Sequence, residues 1–196
     1  MGIESLRDFV VATTHAVSQH SDEAQLLPVV RQALQRLVAH DDWLPDELAQ
    51  PHPAYYRQYL LHADPLERFS VVSFVWGPGQ RTPVHDHTVW GLIGMLRGQE
   101  LSQPWGRDAR GAFVALGEPT VLRPGQVEAV SPTLGDVHQV SNAYSDRTSI
   151  SIHVYGANIG AVHRHVYTPE GATKPFVSGY SNLFVPNLWD RSKETA

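Results

Sequence analysis

Residues 79–98 read GQRTPVHDHTVWGLIGMLRG, and the rest of the chain is best understood from this stretch. It sets His85 and His87 one residue apart in an apolar, strand-like context. In a β-strand, side chains at i and i+2 share a face, so both imidazoles can reach one point. A divalent metal is the natural occupant of such a point. Working outward, residues 68–76 (RFSVVSFVW) are rich in β-branched and aromatic residues and stop at Gly77-Pro78-Gly79, which reads as a strand and a turn. Residues 89–96 form a second such run. Others follow at 113–116, 120–122, 126–130, 137–140 and 148–155, separated by Gly, Pro, Asn and Asp. Many short strands with this punctuation predict an antiparallel sandwich or barrel.

The N-terminal part has a different period. Ile3, Leu6, Phe9, Val10, Thr13 and Val17 recur at helical steps, and so do Leu26, Val30, Ala33, Leu34 and Leu37. Two amphipathic helices are expected over 3–20 and 22–40, with Asp22 able to cap the second and Pro28 limiting how early it becomes regular. Residues 46–50 suit a single turn, broken by Pro51 and Pro53. Residues 54–61 suit a short helix or a strand, and their pattern does not choose between them. The C-terminal part, 169–196, is punctuated by Pro and Gly around Phe176, Tyr180, Phe184 and Trp189. It is expected to wrap the barrel, with its last residues frayed. The organisation predicted is a single domain over 1–196: helices over 1–50, barrel core over 68–168 and wrap over 169–196.

Composition narrows the chemistry. The 196 residues contain no cysteine and 11 histidines, so disulfides, thiolate metal sites and a cysteine nucleophile are excluded. Any metal must be held by nitrogen and oxygen. The net charge is −5 and no Lys/Arg block stands out, which does not suggest a nucleic-acid partner. No apolar run approaches the roughly 18 residues of a membrane span, and the start, MGIESLRDFV, lacks a basic flank and an apolar core. A cytoplasmic protein without membrane association is expected. Oligomeric state is not readable.

Two further segments complete the pattern. His138 sits in PTLGDVHQVSN, with Gly135 three residues before it and Asn142 four after. In the strand over 148–155, TSISIHVY, the residues Thr148, Ile150, Ile152 and Val154 fall on one face, and Ser149, Ser151, His153 and Tyr155 on the other. A polar row of this kind fits a strand facing water on one side or lining a cavity.

Together these segments resemble the cupin superfamily. Gly79-x5-His85-x-His87-x3-Gly91-x6-Gly98 is similar to the first cupin motif, and Gly135-x2-His138-x3-Asn142 to the end of the second, with Pro132 one residue further away than usual. The resemblance implies a mainly β fold: a cupin jelly-roll (double-stranded β-helix) barrel with an N-terminal helical segment. It also implies a metal site of His85, His87 and His138. Where the usual motif has a glutamate ligand this chain has Gly91, which implies a three-histidine site.

Within that superfamily the chain resembles the thiol dioxygenases of the cysteine dioxygenase type over roughly 55–180. Ser151, His153 and Tyr155 match their Ser-x-His-x-Tyr relay, and WGPGQRTPVHDHT their approach to the first two iron ligands. The mammalian-type crosslink between a cysteine and the relay tyrosine cannot form here. That departure is similar to the bacterial branch that includes 3-mercaptopropionate dioxygenases, which implies that Arg164 holds a substrate carboxylate, with Gln58 assisting. Arg57 is the match if the cysteine-specific arrangement applies instead. The implied cofactor is Fe(II), and the implied partners are O2 and a small thiol carboxylate. The implied reaction gives a sulfinate, from 3-mercaptopropionate by preference, with cysteine as the alternative. Three neutral imidazoles would leave Fe(II) its full charge, which suits thiolate binding. Other readings are a cupin enzyme using Mn, Ni or Zn, and a non-enzymatic metal- or ligand-binding cupin.

Overall fold

The computed structural model describes residues 3–168 and 170–183. It opens with α1 (Glu4–Gln19) and α2 (Glu23–Val38), close to the expected spans. Asp22 caps α2 by accepting the Ala24 N–H at 2.9 Å. Pro28 lies inside α2 without interrupting it, so the expected limit on regularity does not apply. In its place the helix forgoes the one backbone bond that a proline nitrogen cannot donate. A 3-10 turn, Asp46–Leu48, follows. The undecided segment is a strand, β1 (Arg57–Ala63).

The remaining strands are β2 (Ser70–Trp76), β3 (Val84–His85), β4 (Gly91–Arg97), β5 (Glu100–Arg107), β6 (Phe113–Ala115), β7 (Thr120–Leu122), β8 (Val127–Val130), β9 (His138–Asn142), β10 (Ser149–Tyr155), β11 (Arg164–Tyr167) and β12 (Thr173–Phe176). They form two antiparallel sheets, in the orders β1-β2-β10-β4-β8 and β12-β11-β3-β9-β5-β6, with β7 also on β5. This is the jelly-roll barrel expected from the resemblance. Its two sheets meet through side chains such as Val72, Phe74 and Trp76 against Val140, and Ile93 and Met95 against Leu122.

The first sheet is buried on both faces. Val71, Val75, Leu92, Leu96, Ile150, Ile152 and Val154 pack outward against Leu34, Leu37 and Val38 of α2 and Phe9 of α1. Contact is close at Gly94, where an added Cβ would lie 2.9 Å from Leu34 Cγ and 3.0 Å from Val38 Cγ1. This explains why the N-terminal helices belong to the barrel: their apolar stripe covers a sheet face that water would otherwise reach.

Several features differ from the sequence reading. The segment around the histidine pair is not a continuous strand, because β3 ends at His85, and Thr88 adopts φ +59°. Strands β5, β11 and β12 are not among the runs read from the sequence; in β5 the buried positions, Glu100 and Ser102, have the polarity of a loop. Residues 178–182 lie along β1, with hydrogen bonds from Gln58 N to Ser181 Oγ (3.1 Å) and from Leu60 N to Asn182 Oδ1 (2.8 Å). Phe184, Trp189 and the last residues lie outside the described residues.

Candidate metal centre and cavity

His85 closes β3, His138 opens β9, and the two are paired in register. His87 joins them from the loop beyond β3. Its ring centre lies 4.8 Å from that of His85 and 4.9 Å from that of His138, and those two are 5.0 Å apart. One ring nitrogen from each falls within 4.8 Å of the others. The three expected ligands are therefore brought together, though by a loop rather than by strand alternation.

The loop is held by a residue that the sequence reading did not single out. The Asp136 carboxylate accepts the His87 N–H at 3.0 Å, the Thr88 N–H at 2.8 Å and the His87 Nδ1–H at 2.9 Å. Burial raises the Asp136 carboxyl, but the bonds from His87 and Thr88 outweigh it and hold the group below its ordinary range. Its only signal in the sequence is its position between Gly135 and His138, and nothing local ties it to residue 87. Asp86 braces the other side of the loop: its carboxylate accepts the His165 N–H at 2.7 Å and the Tyr167 hydroxyl at 2.8 Å.

Each of the three imidazoles is pinned through Nδ1. His85 Nδ1 donates to the Pro83 carbonyl at 3.1 Å, and His87 Nδ1 donates to Asp136. His138 Nδ1 meets Ser102 Oγ at 3.2 Å. A carbonyl or carboxylate only accepts, so the Nε2 atoms of His85 and His87 are left as free lone pairs. The Nε2 atoms of His87 and His138 are buried and have no hydrogen-bond partner among the described residues. Burial and the neighbouring imidazole push His85 down to about 3, and burial together with both imidazoles lowers His138 as well. Buried, neutral and unpartnered nitrogens converging on one point fit a metal ion of borderline softness.

The relay residues form a continuous chain on the inward face of β10. Ser151 Oγ lies 2.8 Å from His153 Nε2, and His153 Nδ1 lies 2.8 Å from the Tyr155 hydroxyl. All three are buried. Phe74 stacks on the His153 ring at 4.0 Å, and the Tyr155 ring stacks on His87 at 5.5 Å. Burial lowers His153 and raises Tyr155, so the imidazole and the phenol are both neutral. Gly91 explains how Tyr155 fits. A Cβ at that position would lie 3.1 Å from Tyr155 Cδ1 and 3.0 Å from Val130 Cγ2. The volume that a glutamate would use in the common cupin pattern is occupied here by the tyrosine ring.

These groups face a cavity of about 260 Å³, which suits a molecule smaller than a typical drug. Gln58 and Arg164 also line it, and Arg57 does not. Arg57 instead lies over the Tyr55 ring at 5.5 Å. Alternation along β1 separates the two: Gln58 points inward where Arg57 points away. Arg164 is 3% exposed, sits over Phe176 at 4.6 Å and hydrogen-bonds Ser178. Its Nε has no partner, and among the described residues it makes no ion pair. His163 and His165, which flank it, are not in the cavity lining, and His165 is turned to Asp86.

A family model for cysteine dioxygenase type I matches residues 49–168, more than half of the chain. The chain belongs to the cysteine dioxygenase type I family. It is thus a cupin of the thiol dioxygenase type, a class of metal-dependent dioxygenases. Among solved structures it is similar to an uncharacterized conserved protein with a double-stranded beta-helix domain from Klebsiella pneumoniae. That match has 20% identity, a TM-score of 0.45, and covers 57% of this chain and 80% of the other. It is also similar to a cupin superfamily protein from Desulfitobacterium hafniense, at 13% identity, a TM-score of 0.43, and coverage of 60% and 93%. No helix among the described residues is long and apolar enough to cross a membrane.

Proposed function

We propose that this member of the family is an Fe(II)-dependent dioxygenase that converts a small thiol carboxylate, 3-mercaptopropionate in preference to cysteine, to its sulfinate. The balance is RSH + O2 → RSO2H, with both oxygen atoms ending on sulfur. The observation that carries this reading is the content of one cavity. It holds three imidazoles that converge on one point and a buried guanidinium that makes no ion pair among the described residues, and no Asp or Glu among the described residues lines it.

Fe(II) held by His85, His87 and His138 would supply a Lewis acid that lowers the pKa of a coordinating thiol and an electron source for O2. The protein's own groups do the rest. A buried cation without a partner is costly, and a substrate carboxylate would relieve that cost by pairing with Arg164. Gln58 would add a polar contact beside it. Tyr155 would donate a hydrogen bond into the cavity, oriented by His153, which is oriented in turn by Ser151. Phe74, Trp76 and Val140 form an apolar wall that excludes water and strengthens these interactions. The substrate preference follows from charge. The ammonium of cysteine would enter beside Arg164 with no acidic side chain among the described lining residues to receive it, whereas 3-mercaptopropionate brings only the carboxylate.

The test is oxygen uptake and sulfinate formation by the Fe(II)-loaded protein with 3-mercaptopropionate, cysteine and cysteamine. The expected order of kcat/KM is 3-mercaptopropionate, then cysteine, then cysteamine, which lacks the carboxylate. If none yields a sulfinate, the reaction is wrong. If cysteine leads, the reaction stands and the substrate preference is overturned.

A further inference from the structure

Behind the relay, the barrel interior holds two carboxyl groups that the proposed chemistry does not use. Glu100, at the start of β5, is 1% exposed, and its Oε1 has no hydrogen-bond partner among the described residues. The polar groups beside its carboxyl are the Ser151 hydroxyl and the Trp76 indole N–H, and the second of these donates to Ser151 Oγ at 3.2 Å. Glu128 approaches from β8, beside the Ser102 hydroxyl, and its Oε2 is likewise buried and unpartnered. Register explains the meeting. Ile93 pairs with Glu128 on one side and His153 on the other, so both point to the inward face of the first sheet.

The titratable groups that face Glu100 are Glu128 from β8 and, along the relay, His153 and Tyr155 from β10. From β2, β7 and β9 its neighbours are Trp76, Leu122 and Asn142, none of which titrates. No ion pair reaches Glu100 among the described residues, and Arg31 acts on Glu128. Burial, aided by Glu128, pushes the Glu100 carboxyl up to about 8.

The direction of the relay is set by what Ser151 donates to and accepts from. Ser151 has one proton and two lone pairs, and Trp76 only donates to it. We infer that Glu100 is a positioning residue for the relay: as a carboxylic acid it donates to Ser151 and so turns the chain to end with the Tyr155 hydroxyl donating into the cavity. Ser151 then donates to His153 Nε2, and His153 Nδ1–H donates to the Tyr155 oxygen, which leaves the phenol proton free to point at the cavity. An ionised Glu100 reverses every step. Ser151 donates to the carboxylate, His153 Nε2–H donates to Ser151, and Tyr155 gives its proton to His153 Nδ1. The cavity then meets a lone pair in place of a donor. The catalytic value of that donor rests on the thiol dioxygenase reading, but the direction of the chain does not.

The experiment reads the direction itself. Nitrogen-15 NMR of histidine-labelled, Zn(II)-loaded protein reports which nitrogen of His153 carries its proton. The expected result is Nδ1–H at neutral pH, shifting to Nε2–H as pH rises through about 8. In Glu100→Gln, whose amide NH2 is a permanent donor of the same shape, Nδ1–H should persist throughout. In the Fe(II) enzyme, wild-type turnover should fall about tenfold between about pH 7 and about pH 9, and Glu100→Gln should lose that limb. Nε2–H in the wild type at neutral pH, or the same shift in Glu100→Gln, would overturn the inference. Should Glu100→Gln fail to fold, the wild-type titration alone decides: no tautomer shift near pH 8 sinks the proposal. Failure to oxidise any thiol would leave the NMR result intact and count only against the proposed reaction.

Discussion

The two faces of β10 are equally buried and do opposite work. Outward, Ile150, Ile152 and Val154 are fully enclosed beneath the helices and contribute apolar area and close packing. Inward, Ser151, His153 and Tyr155 are just as enclosed, yet each polar atom of the row finds a partner in the next. Burial therefore does not separate scaffold from site in this molecule. What marks the site is the cluster beside the row, where His87 Nε2 and His138 Nε2 have no partner among the described residues and converge with His85 on one point that a ligand would fill.

Substitutions on the two faces should fail in different ways. The largest effect is expected from His138→Ala, which removes a ligand and should abolish both iron binding and turnover. Metal analysis showing wild-type iron content would refute the ligand assignment. Tyr155→Phe should keep the iron while lowering kcat by about 10²-fold, because only the donor proton is lost. An unchanged kcat with 3-mercaptopropionate would remove Tyr155 from the reaction. On the outward face, Ile152→Ala should cost about 2–5 kcal/mol in urea unfolding while iron stoichiometry stays at the wild-type level. Loss of iron without loss of stability would mean that the faces are not separable.

The last effect concerns pH. Glu100 is raised from 4.5 to about 8 in the folded protein, so between these values the native state holds a proton that the unfolded chain has released. Its contribution to stability is present in full below about 4.5 and is lost as pH rises through about 8. Urea unfolding of the metal-free protein should therefore show wild type losing stability relative to Glu100→Gln as pH increases across that window. A constant difference between the two would count against a protonated Glu100.

Much of this was legible in the chain. The histidine spacings and the alternation of TSISIHVY are local signals, and the motifs they form point to the three histidines and the polar row that the structure brings to one cavity. The segment 54–61 could not be resolved because its apolar residues fit two periods, and pairing with β2 chose the strand. Strand β5 escaped notice because its inward residues are polar for reasons visible only once the strands are assembled, where Ser102 meets His138 on the neighbouring β9 and Glu100 approaches Ser151. The histidine pair was expected to meet by strand alternation. A carboxylate 49 residues away holds His87 in place instead.

By itself, then, the sequence determined which residue types alternate on each face, where cysteine chemistry is impossible, and which histidines stand at ligand spacing. These are properties of neighbours along the chain, set by the periods of strand and helix. Only the tertiary structure decided that Gln58 rather than Arg57 faces the cavity, that Asp136 fixes His87, that the Tyr155 ring fills the space over Gly91, and that a glutamate lies behind the relay. Each of these depends on strands distant in sequence meeting in one register, and long-range register is not written in any local pattern.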